Sequence, residues 1–332
     1  MTATADAALG RLDRAQPFIL FGGIAAGLFL SACKPEEAAR IAVSVLTPGL
    51  MLVLFMIFLQ VPLKQVTAAF SKVKATGLAL GLNFIVTPLL AWLLGALFLG
   101  AHPDLRIGLF MFLLTPCIDW YLIFTHLSRG NTALGVLLLP WNLILQMVLL
   151  PVFLLLFAST IIPVNLGVLL HSVVVYFVLP FVLANLTRCL LESQFGGERV
   201  KKKILSRLSP YSLAALTLVI MAMFASQGRV MLSQPDLLLK ILLPVGLFFV
   251  IIFTLAQIAR RAAGLDYPDG ACLTCTAIAR NSPIALAIAV GAFPEQPLVA
   301  LTIAIGPLLE LPVLLVVSRA LLWLNARESC RA

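Results

Sequence analysis

Apolar runs of about twenty residues recur along this chain, the length a helix needs to cross a bilayer, and short polar stretches separate them. In hydrocarbon every backbone N–H and C=O must be satisfied internally, which leaves only helices and closed barrels. Barrel strands need only about ten residues, so the expectation is an all-α polytopic membrane protein. With 61% of 332 residues hydrophobic and 11% charged, the chain carries more apolar surface than a soluble domain of this size buries. The net charge of +9 sits in loops and flanks of the apolar runs. It is therefore read as a topology determinant in a lipid bilayer, not as a nucleic-acid surface. No soluble stretch is long enough for a nucleotide-binding domain, so the driving force is expected from an ion gradient or another chain.

Ten spans are expected, at 17–33, 41–63, 75–101, 105–126, 131–159, 163–190, 209–228, 237–259, 270–292 and 297–324. Residues 1–16 form a polar tail, disordered or interfacial, and 326–332 a second tail. Arg11, Arg14 and the sequence Leu30-Ser31-Ala32-Cys33 imitate a lipoprotein signal, but nine further spans argue for keeping this segment as the first helix. With the N-terminus inside, seventeen Lys and Arg fall in inner segments and five in outer ones. That bias places both termini in the cytoplasm of a cell whose inner membrane holds the protein. The basic loop containing Lys201, Lys202 and Lys203 is one of these inner segments. The six cysteines are scattered, and Cys272 with Cys275 is a weak zinc or redox signal without a second pair.

Two spans are interrupted at corresponding places. Pro116 breaks the fourth of the first five, and Asn281-Ser282-Pro283 interrupts the fourth of the second five. Five spans invert orientation, so residues 17–162 and 163–325 are expected to be inverted repeats. Paired interruptions of this kind point to a transporter's binding site near the bilayer midplane.

The residues near the breaks are unusual for lipid. Cys117 is either a small buried hydrophobe or a soft ligand for a metal or metalloid, and positive charge from a crossing span would favour its thiolate. Asp119 can pair with Arg280, carry protons, or cap the helix that restarts after the break. Glu310 lies between Pro307 and Pro312 deep in an apolar run, where an irregular helix is expected and a functional carboxyl is the better reading. Arg280 either compensates these acids or attracts an anionic substrate, helped by the N-terminus of the following half-helix. Asn281 and Ser282 offer hydrogen bonds at the same place. Asn142 and Gln146 share one helix face, as polar glue between helices or as substrate contacts. The sequence shows no phosphate loop, no histidine cluster and no nucleophile triad, so neither an enzyme nor a cofactor is expected.

Pro116-Cys117, Ser128-Arg129-Gly130-Asn131 and Asn281-Ser282 within ten spans resemble the bile acid:sodium symporter superfamily. Cys117, Ala279-Arg280-Asn281 and the run Gly306 to Pro312 are most similar to its arsenite-efflux branch. The resemblance implies crossed, broken spans four and nine in a core, beside a panel of spans one, two, six and seven. It also implies that Cys117 contacts the metalloid and Glu310 serves transport. Tyr121, Leu122, Thr276 and Arg280 stand where sodium-coupled relatives carry sodium ligands, so a proton is the expected coupling ion. Asp119 with Trp120 departs from the arsenite pattern around the cysteine. The resulting expectation is proton-coupled export of arsenite or antimonite by alternating access. The alternative is ion-coupled uptake of a small organic anion, with Arg280 holding its carboxylate.

Overall fold

A computed structural model describes residues 2–33, 35–61, 72–118, 120–161, 165–197, 200, 206–233 and 235–329. Asp119 and Lys201 to Lys203 lie outside the described residues. Helices α1 (Thr2–Cys33), α2 (Pro35–Gln60), α3 (Val73–Gly81), α4 (Thr87–Phe98), α5 (Pro103–Leu114), α6 (Trp120–Leu127) and α7 (Thr132–Phe157) come first. Helices α8 (Leu166–Val173), α9 (Leu179–Phe195), α10 (Ser206–Ser233), α11 (Pro235–Ala262), α12 (Tyr267–Ile278), α13 (Ser282–Ala292) and α14 (Pro297–Ser329) follow. Among the described residues there is no strand, only an isolated antiparallel bridge between Pro116 and Arg280. Among the described residues six helical stretches are long and apolar enough to cross a membrane, and Phe18–Cys33, Pro210–Ser226 and Ser282–Ala292 are shorter apolar helices. The protein is a helical, multi-pass membrane protein.

Several local features differ from the sequence reading. Helix α1 begins at Thr2, so helix covers most of the stretch expected to be a tail. Helix α14 passes through Pro307 and Pro312 as one continuous helix, where an irregular one was expected. Membrane helices tolerate interior prolines when neighbouring groups satisfy the freed carbonyls. Two widened π turns, Leu82–Val86 and Val174–Val178, have a direct cause. A proline ring clashes with the carbonyl four residues earlier, and Pro88 and Pro180 each place that carbonyl inside a π turn.

The chain divides into two units. The first comprises residues 1–60 and 172–235, and the second comprises 61–171 and 236–332. In the first unit, α10 packs along α1 and α2, and glycines let the backbones approach, as membrane interfaces favour. A Cβ on Gly23 would lie 2.8 Å from Thr217 Cγ2, one on Gly27 would lie 2.9 Å from Phe224 Cβ, and one on Gly49 would lie 2.9 Å from Val219 Cγ2. Gly27→Leu is therefore expected to overpack the α1–α10 seam by about 1–3 kcal/mol, whereas Gly22, with nothing within 4 Å, should accept alanine. Thermal midpoints of the purified variants check this. Equal midpoints for Gly27→Leu and Gly22→Ala would refute the seam.

In the second unit, α5 runs along α14, with Gly108 against Thr302 and Gly306 against the Phe112 ring. One end of this unit is tied by polar groups. Asp269 accepts from Lys72 Nζ at 2.9 Å and Asn131 Nδ2 at 2.7 Å, and Tyr267 donates to the Ser128 carbonyl at 2.7 Å. Arg260 binds Glu328 through both Nη atoms at 3.1 and 2.6 Å. The hydrogen bond to Asp269, then its charge, hold the Lys72 amine above the ordinary lysine value of 10.5. A raised folded value stabilises below the unfolded value and is lost as pH climbs through the folded one. This tie is therefore intact throughout the neutral range.

Candidate functional site

The site starts from Pro116. A proline forces the residue before it out of the helical region, and Thr115 is extended at φ −102°, ψ 92°. Helix α5 ends there and α6 restarts at Trp120, whose backbone N–H donates to Cys117 Sγ at 3.2 Å. In the partner break α12 ends at Ile278, Ala279 is extended, and Asn281 caps α13 by accepting from the Ile284 N–H at 3.1 Å. The two breaks meet. Cys117 N–H donates to the Ala279 carbonyl at 3.0 Å and Asn281 N–H to the Thr115 carbonyl at 2.7 Å. One pair of strand-like hydrogen bonds thus satisfies buried backbone groups that each break leaves open.

Between them sits Arg280, 1% exposed. A buried charge costs several kcal/mol unless it is well compensated, and here the guanidinium is surrounded by acceptors. Its Nη1 donates to the Leu113 carbonyl at 2.8 Å, Nε to the Ile278 carbonyl at 3.3 Å, and Nη2 to the Ala277 carbonyl and to Asn83 Oδ1 at 3.2 Å. Its Cζ lies 5.3 Å from the centre of the Phe248 ring, within cation–π range. The last four carbonyls of a helix lack intrahelical partners, and the accounting for α5 and α12 is close to complete. The Thr115 hydroxyl lies 3.0 Å from the Phe112 carbonyl and 3.3 Å from that of Met111. Ala279 N–H takes the Cys275 carbonyl, and Arg280 takes Leu113, Ala277 and Ile278.

Glu310 reaches the crossing from α14, and its Oε1 accepts the Arg280 backbone N–H at 2.9 Å. From Asn83 a neutral chain of hydrogen bonds continues, all of it buried. Asn83 Nδ2 donates to Asn142 Oδ1 at 3.3 Å, and Asn142 Nδ2 donates to Thr276 Oγ1 at 3.1 Å. Asn142 therefore ties helices together. Gln146, one turn further along α7, is fully buried, and both its amide atoms lack a hydrogen-bond partner among the described residues. Ser282 Oγ and Thr87 Oγ1 are in the same condition. Orphaned polar atoms of this kind call for a water or a ligand.

The sequence pattern of the sodium bile acid symporter family matches residues 47–234, more than half of the chain. The chain belongs to that family. It is accordingly a membrane transporter and not an enzyme. Among its relatives is the arsenical-resistance protein Acr3 of Corynebacterium glutamicum, 29% identical over 262 residues, which are 76% of this chain and 70% of the relative. The arsenical-resistance protein Acr3 of Alkaliphilus metalliredigens is 25% identical over 307 residues, covering 83% and 86%. An uncharacterised transporter of Synechocystis sp. is 24% identical over 294 residues, covering 82% and 77%.

Within this family member, Cys117, Arg280, Asn281 and Glu310 come together at one crossing. Asn142 joins them through Asn83, which accepts from Arg280, and it also donates to Thr276 on α12. The structure places Ser282 at the start of α13 and Gln146 a turn beyond Asn142. The Arg280 charge faces the C-terminal ends of α5 and α12, and the residue meets Glu310 through its backbone N–H. Asn83, Thr87 and Thr115 were not anticipated. Asn83 and Thr87 share the four-residue spacing of Asn142 and Gln146, and that signal in the third apolar run was available. Cys272 and Cys275 are both buried, and no group of three metal-ligating side chains occurs among the described residues.

Proposed function

We propose that this transporter exports arsenite, or antimonite, across the cytoplasmic membrane in exchange for protons. The observation that carries the reading is the thiol of Cys117 at the junction of two broken helices, in a chain related to two arsenical-resistance proteins. Trivalent arsenic in water is a neutral trihydroxide, and sulfur is a soft ligand suited to it. Attack by Cys117 sulfur forms an S–As bond while one As–OH bond breaks. The thiol proton leaves with that hydroxide as water, and hydrolysis reverses the step on the far side. Ser282 and Gln146 hydrogen-bond the remaining hydroxyls, and Glu310 carries the counter-proton.

On this reading the helices make ten segments in two inverted repeats, with both termini in the cytoplasm and α5–α6 and α12–α13 as the broken members. The second unit moves relative to the first to alternate access, and arsenite biases that equilibrium only by binding its two states unequally. Uptake of an organic anion lacks its proposed anchor, because the Arg280 guanidinium is already engaged by helix carbonyls.

Everted membrane vesicles given arsenite, with pH and sodium gradients imposed separately, test the proposal. Accumulation is expected under a pH gradient, acid inside, and should be indifferent to sodium. Accumulation that needs sodium, or none under either gradient, would overturn it.

A further inference from the structure

We propose that the Arg280 side chain is a tethered cation filling the position that a mobile coupling cation would otherwise occupy at the helix crossing, so that transport requires no sodium. The inference rests on the chain being a transporter and does not depend on the substrate being arsenite.

The argument begins with the two helix ends. Each helix C-terminus carries roughly half a negative charge from its unsatisfied carbonyls, and α5 and α12 bring two such ends together where the chain is fully buried. Broken-helix transporters use such carbonyl ends to coordinate sodium or protons. Here the Leu113, Ala277 and Ile278 carbonyls and Asn83 Oδ1 all point at one cation. These are oxygen ligands of the type that suits a hard monovalent ion, and the Phe248 face closes the remaining side.

The cation that fills the nest is covalently part of the chain. A guanidinium does not deprotonate in proteins, so the charge is permanent. The backbone holds it in place, with Arg280 bridged to Pro116 and its N–H bound to Glu310. A lysine would supply the charge without the planar fork that serves several carbonyls at once. A bound sodium can leave with the substrate and so deliver the energy of its gradient. This cation cannot, and the gradient must enter through another group.

Cation replacement in an Arg280→Ala variant tests the inference. Thermal midpoints are measured on detergent-purified protein in choline, sodium or millimolar guanidinium chloride, and arsenite flux is measured in vesicles with the same ions. The parent should give the same midpoint and flux in all three salts. Arg280→Ala should lose about tenfold to a hundredfold of flux in choline, the equivalent of losing hydrogen bonds from a charged group. Guanidinium or sodium should restore part of that flux and raise its midpoint, as a ligand binding the folded state must. Arg280→Lys should keep measurable flux in choline.

Indifference of Arg280→Ala to all three cations, or a parent whose midpoint or flux falls when choline replaces sodium, would overturn the inference. Should Arg280→Ala not fold, sodium dependence in Arg280→Lys would overturn it, and sodium-independent flux would support it. The midpoints do not involve arsenite. A parent that fails to move arsenite therefore removes the substrate reading and leaves this test standing.

Discussion

Cys117→Ser is expected to abolish arsenite export while leaving the fold in place. Serine is nearly isosteric with cysteine, and its oxygen accepts a backbone N–H at a helix start better than sulfur does. The Trp120 N–H, now 3.2 Å from Cys117 Sγ, keeps a partner, as do the backbone bonds to Ala279. What disappears is the soft ligand, since a hydroxyl has little affinity for trivalent arsenic beyond that of water. Flux should fall by at least about tenfold, the loss of roughly 1.4 kcal/mol of substrate interaction, and an export-deficient host should become arsenite-sensitive again. Cys33→Ser and Cys189→Ser, at exposed positions, should protect like the parent. A Cys117→Ser variant as protective as the parent would remove the thiol from the mechanism.

Glu310 separates into two roles that two substitutions distinguish. Its Oε1 holds the Arg280 backbone N–H at 2.9 Å within a nearly fully buried crossing. Glu310→Gln keeps a carbonyl oxygen for that bond and removes the titratable group. It should purify with a near-parental thermal midpoint yet lose the response of flux to a pH gradient. Glu310→Ala also leaves a buried N–H without a partner, which costs about 1–3 kcal/mol, so its midpoint should drop as well. Full pH-driven flux in Glu310→Gln would show that the proton travels by another group. An equal midpoint for both variants would show that the Arg280 bond contributes little.

Both breaks were legible in the sequence because their cause is local. Pro116 acts on Thr115, and the Asn281-Ser282-Pro283 pattern is a helix start that can be read without a partner. Their meeting was only an expectation, since the hydrogen bonds between Cys117 and Ala279 and between Asn281 and Thr115 join residues remote in the chain. Arg280 was picked out as a site residue with two roles left open, and the helix ends that its guanidinium meets were not legible. A break creates one C-terminus and one N-terminus a few residues apart, and only the crossing decides which of them a long side chain can reach. Glu310 was found for a sound reason, a carboxyl deep in an apolar run. The irregular helix expected around it is absent, because proline spacing says where a donor is missing but not whether a neighbour compensates. Of the ten expected spans, six correspond to stretches of sufficient length and apolarity. Spans four and nine are divided by the two breaks that build the site, while spans one and seven hold the shorter apolar stretches Phe18–Cys33 and Pro210–Ser226.

Arsenic K-edge X-ray absorption on purified protein loaded with arsenite examines the crossing most directly. The parent should show arsenic–sulfur scattering together with arsenic–oxygen scattering, and Cys117→Ser should show oxygen alone. Sulfur scattering that survives in Cys117→Ser, or a parent spectrum of oxygen only, would contradict the placing of the metalloid on this thiol.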